Sequence, residues 1–364
     1  MTDREQQILQ LIRKNPLISQ QELAKILGIT RSSTAVHISN LIKKGYILGK
    51  GYIVQEGAYA CVVGGANVDI QGFPKDKLML KDSNPGELKI SLGGVGRNIA
   101  ENLVKLGTDT RLITAVGDDL YGKKILEDAN QIGLNMQDSL ILNGHATSTY
   151  LSILDETGDM AVAISAMDIF DLMSVDFIKQ KKHVIENAKV CIIDTNISEN
   201  VIEYIVTNHR GTNFFLDTVS TAKAMKVADI IGYFHTIKPN KLEAEILSGI
   251  KIESEANLQK AAEYFLKKGV KNVFISLGAD GIFYHDGQQM NHIQSPKVEV
   301  INATGAGDAF MAGLAYCHLN NFDIDFSTRF SMTASILALS HENTINPNIS
   351  LENINEKMKE IGLC

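Results

Sequence analysis

Seven consecutive residues, Asn302-Ala303-Thr304-Gly305-Ala306-Gly307-Asp308, set two glycines and a carboxylate between a strand-like run at 297–301 and an apolar, small-residue run at 309–319. The spacing predicts a strand, a tight glycine turn and a helix start. Gly305 and Gly307 let the backbone turn sharply and approach a ligand closely. The unpaired N–H groups of Gly305, Ala306 and Gly307 at the helix mouth then point into the space above the turn. Such donors form an anion hole able to hold the oxygens of a transferring phosphoryl group. Asp308 stands at its edge, where a carboxylate can accept the proton of a hydroxyl as that oxygen attacks phosphorus. The same residues also suit an ordinary helix N-terminus in which Asp308 serves only the macrodipole.

Other polar residues fall at comparable places. Asn67 and Asp69 leave the end of a buried run at 60–64, where the carboxyl end of a parallel strand faces the ligand crevice of an open α/β sheet and both side chains can bind sugar hydroxyls. Gly93-Gly94-Val95-Gly96-Arg97-Asn98 follows an alternating strand at 87–92 and opens a helix to Leu106, with Asn98 just inside its mouth. Asn240 and Glu243 share one edge of a helix that begins after Lys238-Pro239. They suit water-bridged Mg²⁺, and equally an ordinary helix cap. Residues 117–124 nearly spell a Walker A loop, but Lys124 stands where Ser or Thr must meet Mg²⁺ and two aspartates would face the phosphates, which excludes that reading.

The elements that must carry these residues are readable from periodicity. A strand is expected at 111–116, and buried runs at 190–194, 213–217 and 272–277 are separated by helical stretches. Residues 146–163 alternate as two strands joined around Glu156-Thr157-Gly158, and with 87–92 they can make a small separate sheet. The fold class is therefore α/β, a doubly wound, mostly parallel sheet with a β-sheet lid.

With 364 residues, 45% of them hydrophobic and 21% charged, the chain suits two units, expected at 1–56 and 57–364. No apolar run reaches the ~18 residues of a membrane span and the N-terminus lacks a signal-peptide core, so a cytoplasmic protein without a membrane partner is expected. Cys61, Cys191, Cys317 and Cys364 lie far apart and suggest neither zinc nor disulfides. The net charge of −7 divides into +4 for residues 1–56 and −11 for the remainder.

That basic head reads as three helices, at 4–13, 20–27 and 31–44, the second opened by a Ser19/Glu22 capping box and ended by Gly28, the third capped by Thr30. Val36, Ile38, Leu41 and Ile42 are expected to be buried. Arg31, Ser32, Ser33, His37, Asn40, Lys43 and Lys44 are left to meet base edges or phosphates. A small hairpin at 45–54 would be the wing. The head resembles a winged helix-turn-helix domain, whose partner is duplex DNA; a docking or dimerisation module uses the same plan.

Residues 60 to about 350 resemble the PfkB or ribokinase-like carbohydrate and nucleoside kinases. One family signature matches Gly93-Gly94, Asn98, Ala100, Gly107 and Gly117, a second matches Thr304 to Asp308 with Ala312-Gly313, and Asn240 with Glu243 matches the N-x-x-E motif. The resemblance implies ATP and Mg²⁺, with Asp308 as catalytic base and the Gly305, Ala306 and Gly307 amides as anion hole. It implies Asn67, Asp69, Gly93, Gly94, Asn98 and Thr149 around a sugar or nucleoside. Asn240, Ser276, Gly278 and Thr304 would lie along the nucleotide, and Glu243 would reach Mg²⁺ through water. The family usually has Asp-Thr where this chain has Asn302-Ala303, which leaves monovalent-cation activation open.

Within the family, residues 93–103, 147–150 and 342–347 are most similar to pseudouridine kinases, some of which carry such a head. Ribokinase or a 5-dehydro-2-deoxygluconokinase-like activity is the enzymatic alternative. A ligand-sensing regulator that uses a kinase fold is another. A homodimer paired through the lid hairpin is expected.

Overall fold

Three capped helices build the described part of a first unit, Met1–Ala58, and the rest of the chain, Tyr59–Cys364, forms a second. The computed structural model describes residues 1–16, 18–47 and 57–363. In the first unit, α1 (Asp3–Lys14) opens on a Thr2/Glu5 capping box, α2 (Gln20–Leu27) on the Ser19/Glu22 box, and α3 (Arg31–Lys43) on Thr30. Their apolar faces meet through Ile8, Ile12, Leu23, Ile38 and Leu41. Val36 and Ile42 do not join them: they are 60% and 50% exposed. The buried stripe of α3 is Thr34, Ile38 and Leu41, spaced four and three residues apart, because α1 and α2 cover one face of the helix only. Of the wing expected at 45–54, residues 48–54 lie outside the described residues.

The strands of the second unit, in chain order, are β1 (Ala60–Val63), β2 (Asn67–Pro74), β3 (Gly86–Gly93), β4 (Thr110–Ile113), β5 (Ala115–Gly117), β6 (Leu140–Leu142), β7 (Thr149–Leu154) and β8 (Met160–Ala166). Then follow β9 (Val190–Asp194), β10 (Phe214–Asp217), β11 (Thr236–Ile237), β12 (Asn272–Ser276), β13 (Ile282–His285) and β14 (Met290–Ile293). Eight of them form one sheet in the order β14-β13-β12-β11-β10-β9-β1-β4. It is parallel from β4 to β12 and antiparallel at the β13–β14 edge. β1, β9 and β10 are buried along their whole length, as strands covered on both faces must be.

The lid is a four-stranded sheet, β3-β2-β7-β8. The alternating strands expected at 87–92 and 146–163 belong to it, but its central strand, β2, went unread because residues 67–74 look like a loop leaving β1. The strand expected at 111–116 breaks at Thr114, where β5 turns away to pair with β6. No ladder forms at 297–301. Ile301 and Asn302 instead donate their N–H groups to Leu339 O at 2.8 and 3.3 Å, so a helix end satisfies this extended segment in place of a strand.

Four helices of this unit position the site: α4 (Val95–Lys105), α5 (Lys241–Ser248), α6 (Ala306–Leu319) and α7 (Ile324–Leu339). α6 is buried almost throughout its first three turns and lies on α7, whose Ser331 Cα would be 2.8 Å from a Cβ built on Gly313. No described helix is long and apolar enough to cross a membrane. Gly313→Val is expected to prise α6 from α7 and cost on the order of 1–3 kcal/mol as overpacking. The measurement is the denaturation midpoint, and an unchanged midpoint would show that this contact does not limit the packing.

Candidate active site

The mouth of α6 is built by its first four residues and left open. Gly305, the N-cap, takes φ +85°, and a Cβ there would lie 2.1 Å from Thr344 O, so both conformation and space demand glycine. No side chain caps this helix, which leaves its first N–H groups directed outward. Gly307 differs from expectation: it is not among the positive-φ residues, so the turn itself requires only Gly305. A Cβ at position 307 would instead lie 3.2 Å from Lys238 Nζ.

Asp308 follows in the first helical turn, buried, and accepts a hydrogen bond from Asn98 Nδ2 at 2.8 Å. Asn98 is placed by the Gly93-Gly94 turn. Gly94 has φ +97°, and a Cβ on it would collide with Gly65 and Ala66, which seats the start of α4 against the β1–β2 connection. That connection leads into Asn67, whose Nδ2 donates to Asp69 Oδ1 at 2.5 Å, while Asp69 packs against Gly93. Asn67, Asp69, Gly93, Gly94, Asn98 and Asp308 thus form one continuous set of contacts. Burial raises the pKa of Asp69, with the Asn67 hydrogen bond opposing it.

Further buried charges, absent from the sequence reading, stand at the carboxyl ends of the parallel strands: Asp194 at the end of β9, Asp217 at the end of β10 and Lys238 just past β11. Asp194 accepts from Gly65 N and Asn196 N, both at 2.8 Å, yet burial pushes its pKa up to about 6. Lys238 Nζ is 3.3 Å from Asp217 Oδ2. Burial opposes the charge of Lys238, but Asp217, Asp308 and Glu243 outweigh it and raise its pKa above the ordinary lysine value. Burial, then Asp217, lift Asp308 to about 7, with Asn98 and Lys238 holding it down in part.

Asn240 and Glu243 form a reciprocal cap at the start of α5, with Glu243 N to Asn240 Oδ1 at 2.9 Å and Asn240 N to Glu243 Oε2 at 2.8 Å. Thr218 Oγ1 donates to the same Oε2 at 2.6 Å. Among the described residues no group of three or more His, Cys, Asp or Glu could hold a metal. Asn240 and Glu243 thus stand as a helix cap, whose Glu243 carboxylate could reach a phosphate-borne metal through water.

Two cavities meet at the glycine turn. One, of 690 Å³, has apolar walls from Ile282, Val298, Phe310, Met332 and Ile336, and contains Lys238, Ser276, Gly278, Ala306 and Gly307. Asn240 is bridged in parallel to Ser276 at its rim. The other, of 460 Å³, is polar and is lined by Asp69, Gln71, Lys89, Arg97, Tyr150 and Glu342, with Asn302 and Thr304 from the turn. Thr304, expected along the nucleotide, therefore lies on the polar side. Register pairs Thr149 with Val68, whereas Tyr150 lies opposite Asp69, so the period of two places Tyr150 rather than Thr149 on the face of Asp69. Arg97, buried against Glu101 and Asp128, is another wall residue that the sequence did not mark. The apolar cavity thus reaches the open helix mouth at Ala306 and Gly307, and the polar cavity reaches the same turn at Asn302 and Thr304, shortly before the buried Asp308.

In the first unit Arg31, Ser32 and Lys43 are exposed on α3 and Ser33, His37 and Asn40 are half-buried beside them. Lys44 is not a free cation: its Nζ lies 2.8 Å from the buried Glu5 carboxylate, holding α3 to α1.

Residues 58–351 match the pfkB carbohydrate kinase family, and residues 1–47 match a winged helix-turn-helix DNA-binding family. The chain is 42% identical over 302 residues to the pseudouridine kinase of Escherichia coli K12, covering 83% of this chain and 96% of that protein. It is 36% identical over 355 residues to the uncharacterized sugar kinase YeiI of the same organism, covering 97% and 98%. A solved structure of a candidate sugar kinase from Clostridium perfringens superposes with a TM-score of 0.78 at 44% identity, over 84% of this chain and 96% of that one.

The burial of Asp308 has a cost that depends on pH. Its carboxyl, raised from 3.8 to about 7, stays protonated in the fold while the unfolded chain ionises. Stability is therefore full below about pH 4, falls as pH rises toward 7 and stays reduced above it. Asp308→Asn removes that loss. Its thermal midpoint is expected to equal that of the unmodified chain near pH 4 and to exceed it near pH 8, by on the order of 1–3 kcal/mol of stability. Equal midpoints at both values would mean that burial does not destabilise the carboxylate.

Proposed function

The chain belongs to the pfkB family of carbohydrate kinases, and on that premise we propose that it transfers the γ-phosphoryl group of ATP to the 5′-hydroxyl of pseudouridine. The observation that carries the reading is the turn at the open mouth of α6, which lines an apolar cavity through Ala303, Ala306 and Gly307 and a polar one through Asn302 and Thr304, with the buried Asp308 next in the helix. Adenine suits the apolar walls, with Ser276, Gly278 and Asn240 along the nucleotide and its phosphates directed at the amides of Gly305, Ala306 and Gly307. Asn67, Asp69 and Asn98, with the Gly93-Gly94 backbone, hold the ribose hydroxyls. That leaves the primary hydroxyl facing Asp308.

The hydroxyl oxygen forms a bond to the γ-phosphorus, the bond from that phosphorus to the β–γ bridging oxygen breaks, and the hydroxyl proton passes to Asp308. Mg²⁺, when bound with the nucleotide, would neutralise phosphate charge, and Glu243 would meet it through water. Asn302 uses its amide to brace the turn, accepting from Thr304 N at 2.9 Å and donating to Glu342 O at 2.9 Å. It offers no carboxylate to a monovalent cation, so turnover should be indifferent to potassium.

Pseudouridine is preferred to ribose because the match to the E. coli pseudouridine kinase spans nearly all of that protein. A turnover screen with Mg-ATP across pseudouridine, uridine, guanosine and ribose is expected to give pseudouridine the highest kcat/KM. Activity should fall as pH drops below about 7, where Asp308 takes up its proton. Asp308→Asn should lose at least ~10² in kcat while still binding ATP. Preference for ribose would sink the nucleoside assignment, and near-native turnover by the variant would remove Asp308 as the base.

A second activity, binding of duplex DNA by the head, is supported by the winged helix-turn-helix match, the +4 charge of residues 1–56 and the polar groups along α3. In a cytoplasmic homodimer two heads could address two half-sites. The exposed apolar residues Leu88, Ile90, Val162 and Ile164 of the lid offer a surface for that pairing. A chain starting at Gly57 should keep kinase turnover and lose salt-sensitive retention on DNA, whereas Arg31→Ala with Lys43→Ala should weaken DNA binding alone. If the full chain, shown by sedimentation to be dimeric, fails to retain DNA of its own promoter region at low salt, the docking-module reading takes its place.

A further inference from the structure

Lys238 is a buried ammonium that the mechanism above leaves unused. It is 8% exposed and contributes to the wall of the apolar cavity. One carboxylate, Asp217 at 3.3 Å, would suffice to pair it, yet Asp308 and Glu243 act on the same charge. Three carboxylates around one ammonium make a negative pocket, which by itself would repel a triphosphate. Lys238 brings positive charge to the side of that pocket where the anion turn lies.

Position 307 carries the clearest mark of this closeness. Glycine within a helix costs about 1 kcal/mol relative to alanine, and Gly307 does not need the freedom, since its φ is not positive. What a Cβ would meet there is Lys238 Nζ at 3.2 Å. The side chain is missing where the ammonium approaches the first turn of α6. Backbone donors of the turn and the ammonium thus border the same cavity, which Ala306, Gly307 and Lys238 all line.

We propose that Lys238 is a catalytic residue that holds the charge of the phosphoryl group in flight, opposite the turn amides. This rests on the phosphotransferase reading. As the hydroxyl oxygen bonds to the γ-phosphorus and the bond to the β–γ bridging oxygen breaks, negative charge spreads over the equatorial oxygens and the leaving oxygen of ADP. Lys238 donates hydrogen bonds to those oxygens and keeps its proton throughout; the hydroxyl proton goes to Asp308. Asp217 holds the ammonium in place, so its role is to position. An interaction that strengthens in the transition state raises kcat and leaves nucleotide affinity nearly unchanged.

The test compares a ground-state and a transition-state mimic on the full chain. For Lys238→Met, affinity for a non-hydrolysable ATP analogue should change by less than ~5-fold, while affinity for ADP with aluminium fluoride and kcat should each fall by at least ~10². Lys238→Arg should recover part of the aluminium fluoride affinity, because it restores the charge. Equal losses for both mimics would make Lys238 a simple nucleotide-binding group, and no loss would remove it from the chemistry; either result overturns the proposal. Should Lys238→Met not fold, Lys238→Gln combined with Asp217→Asn removes the pair without leaving that aspartate charged and unpaired, and carries the same comparison. An unmodified chain that turns over no nucleoside or sugar would defeat the phosphotransferase reading itself, which is a different outcome.

Discussion

A helix N-terminus left uncapped where two cavities reach one turn is the constraint around which the second unit is built. With no side-chain cap, the N–H groups of the half-buried Gly305 and Ala306 and the exposed Gly307 are left for solvent or an incoming acceptor. The surrounding structure keeps the mouth of α6 in that condition. Gly305 sits hard against Thr344, and Ser335 Oγ of α7 donates to Ala306 O at 2.6 Å, so the first turn is held from both sides without being capped. α6 itself is apolar on nearly every face, which fixes it between the sheet and α7 and leaves the mouth no freedom to relax.

The buried carboxyl of Asp308 follows from the same geometry and works against stability. Asp194, Asp217 and Asp308 approach one another because parallel strands end on one edge of the sheet and α6 begins there. Desolvation, and after it the repulsion of neighbouring aspartates, raises Asp194 and Asp308 toward neutrality. A carboxyl near pH 7 can both accept a proton and release it, which suits the base of a transfer reaction. Lys238 keeps the group from becoming too reluctant to ionise.

Much of this was legible from residue types, and the failures have physical causes. Asn98, Asp308, Asn67 and Asp69 stand in motifs whose glycines announce sharp turns, so their meeting could be foreseen. Asp194 and Asp217 lie at the ends of runs that were read as strands, and only the rule that ligands gather at strand ends would have marked them. β2 was missed because its polar residues Asn67, Asp69 and Gln71 sit on the inner face of a lid, where the usual inside-apolar alternation is reversed by a cavity. Val36 and Ile42 were assigned to a core that a three-helix head is too small to provide on both flanks of α3.

Gly305 and Gly307 show why a motif can be read correctly and explained wrongly. Both are glycines of one turn, and the sequence offers the same two reasons for each: a sharp turn and close approach to a ligand. Only Gly305 uses the backbone freedom of a sharp turn, with φ +85°. At Gly307 the missing side chain instead leaves room for an ammonium that comes from a strand end about 70 residues earlier, 3.2 Å from where a Cβ would stand. The distinction lies in a long-range contact, which spacing along the chain does not encode. Where a glycine has no need of a positive φ, the informative question is therefore what approaches it, and at this site the answer is the Lys238 ammonium.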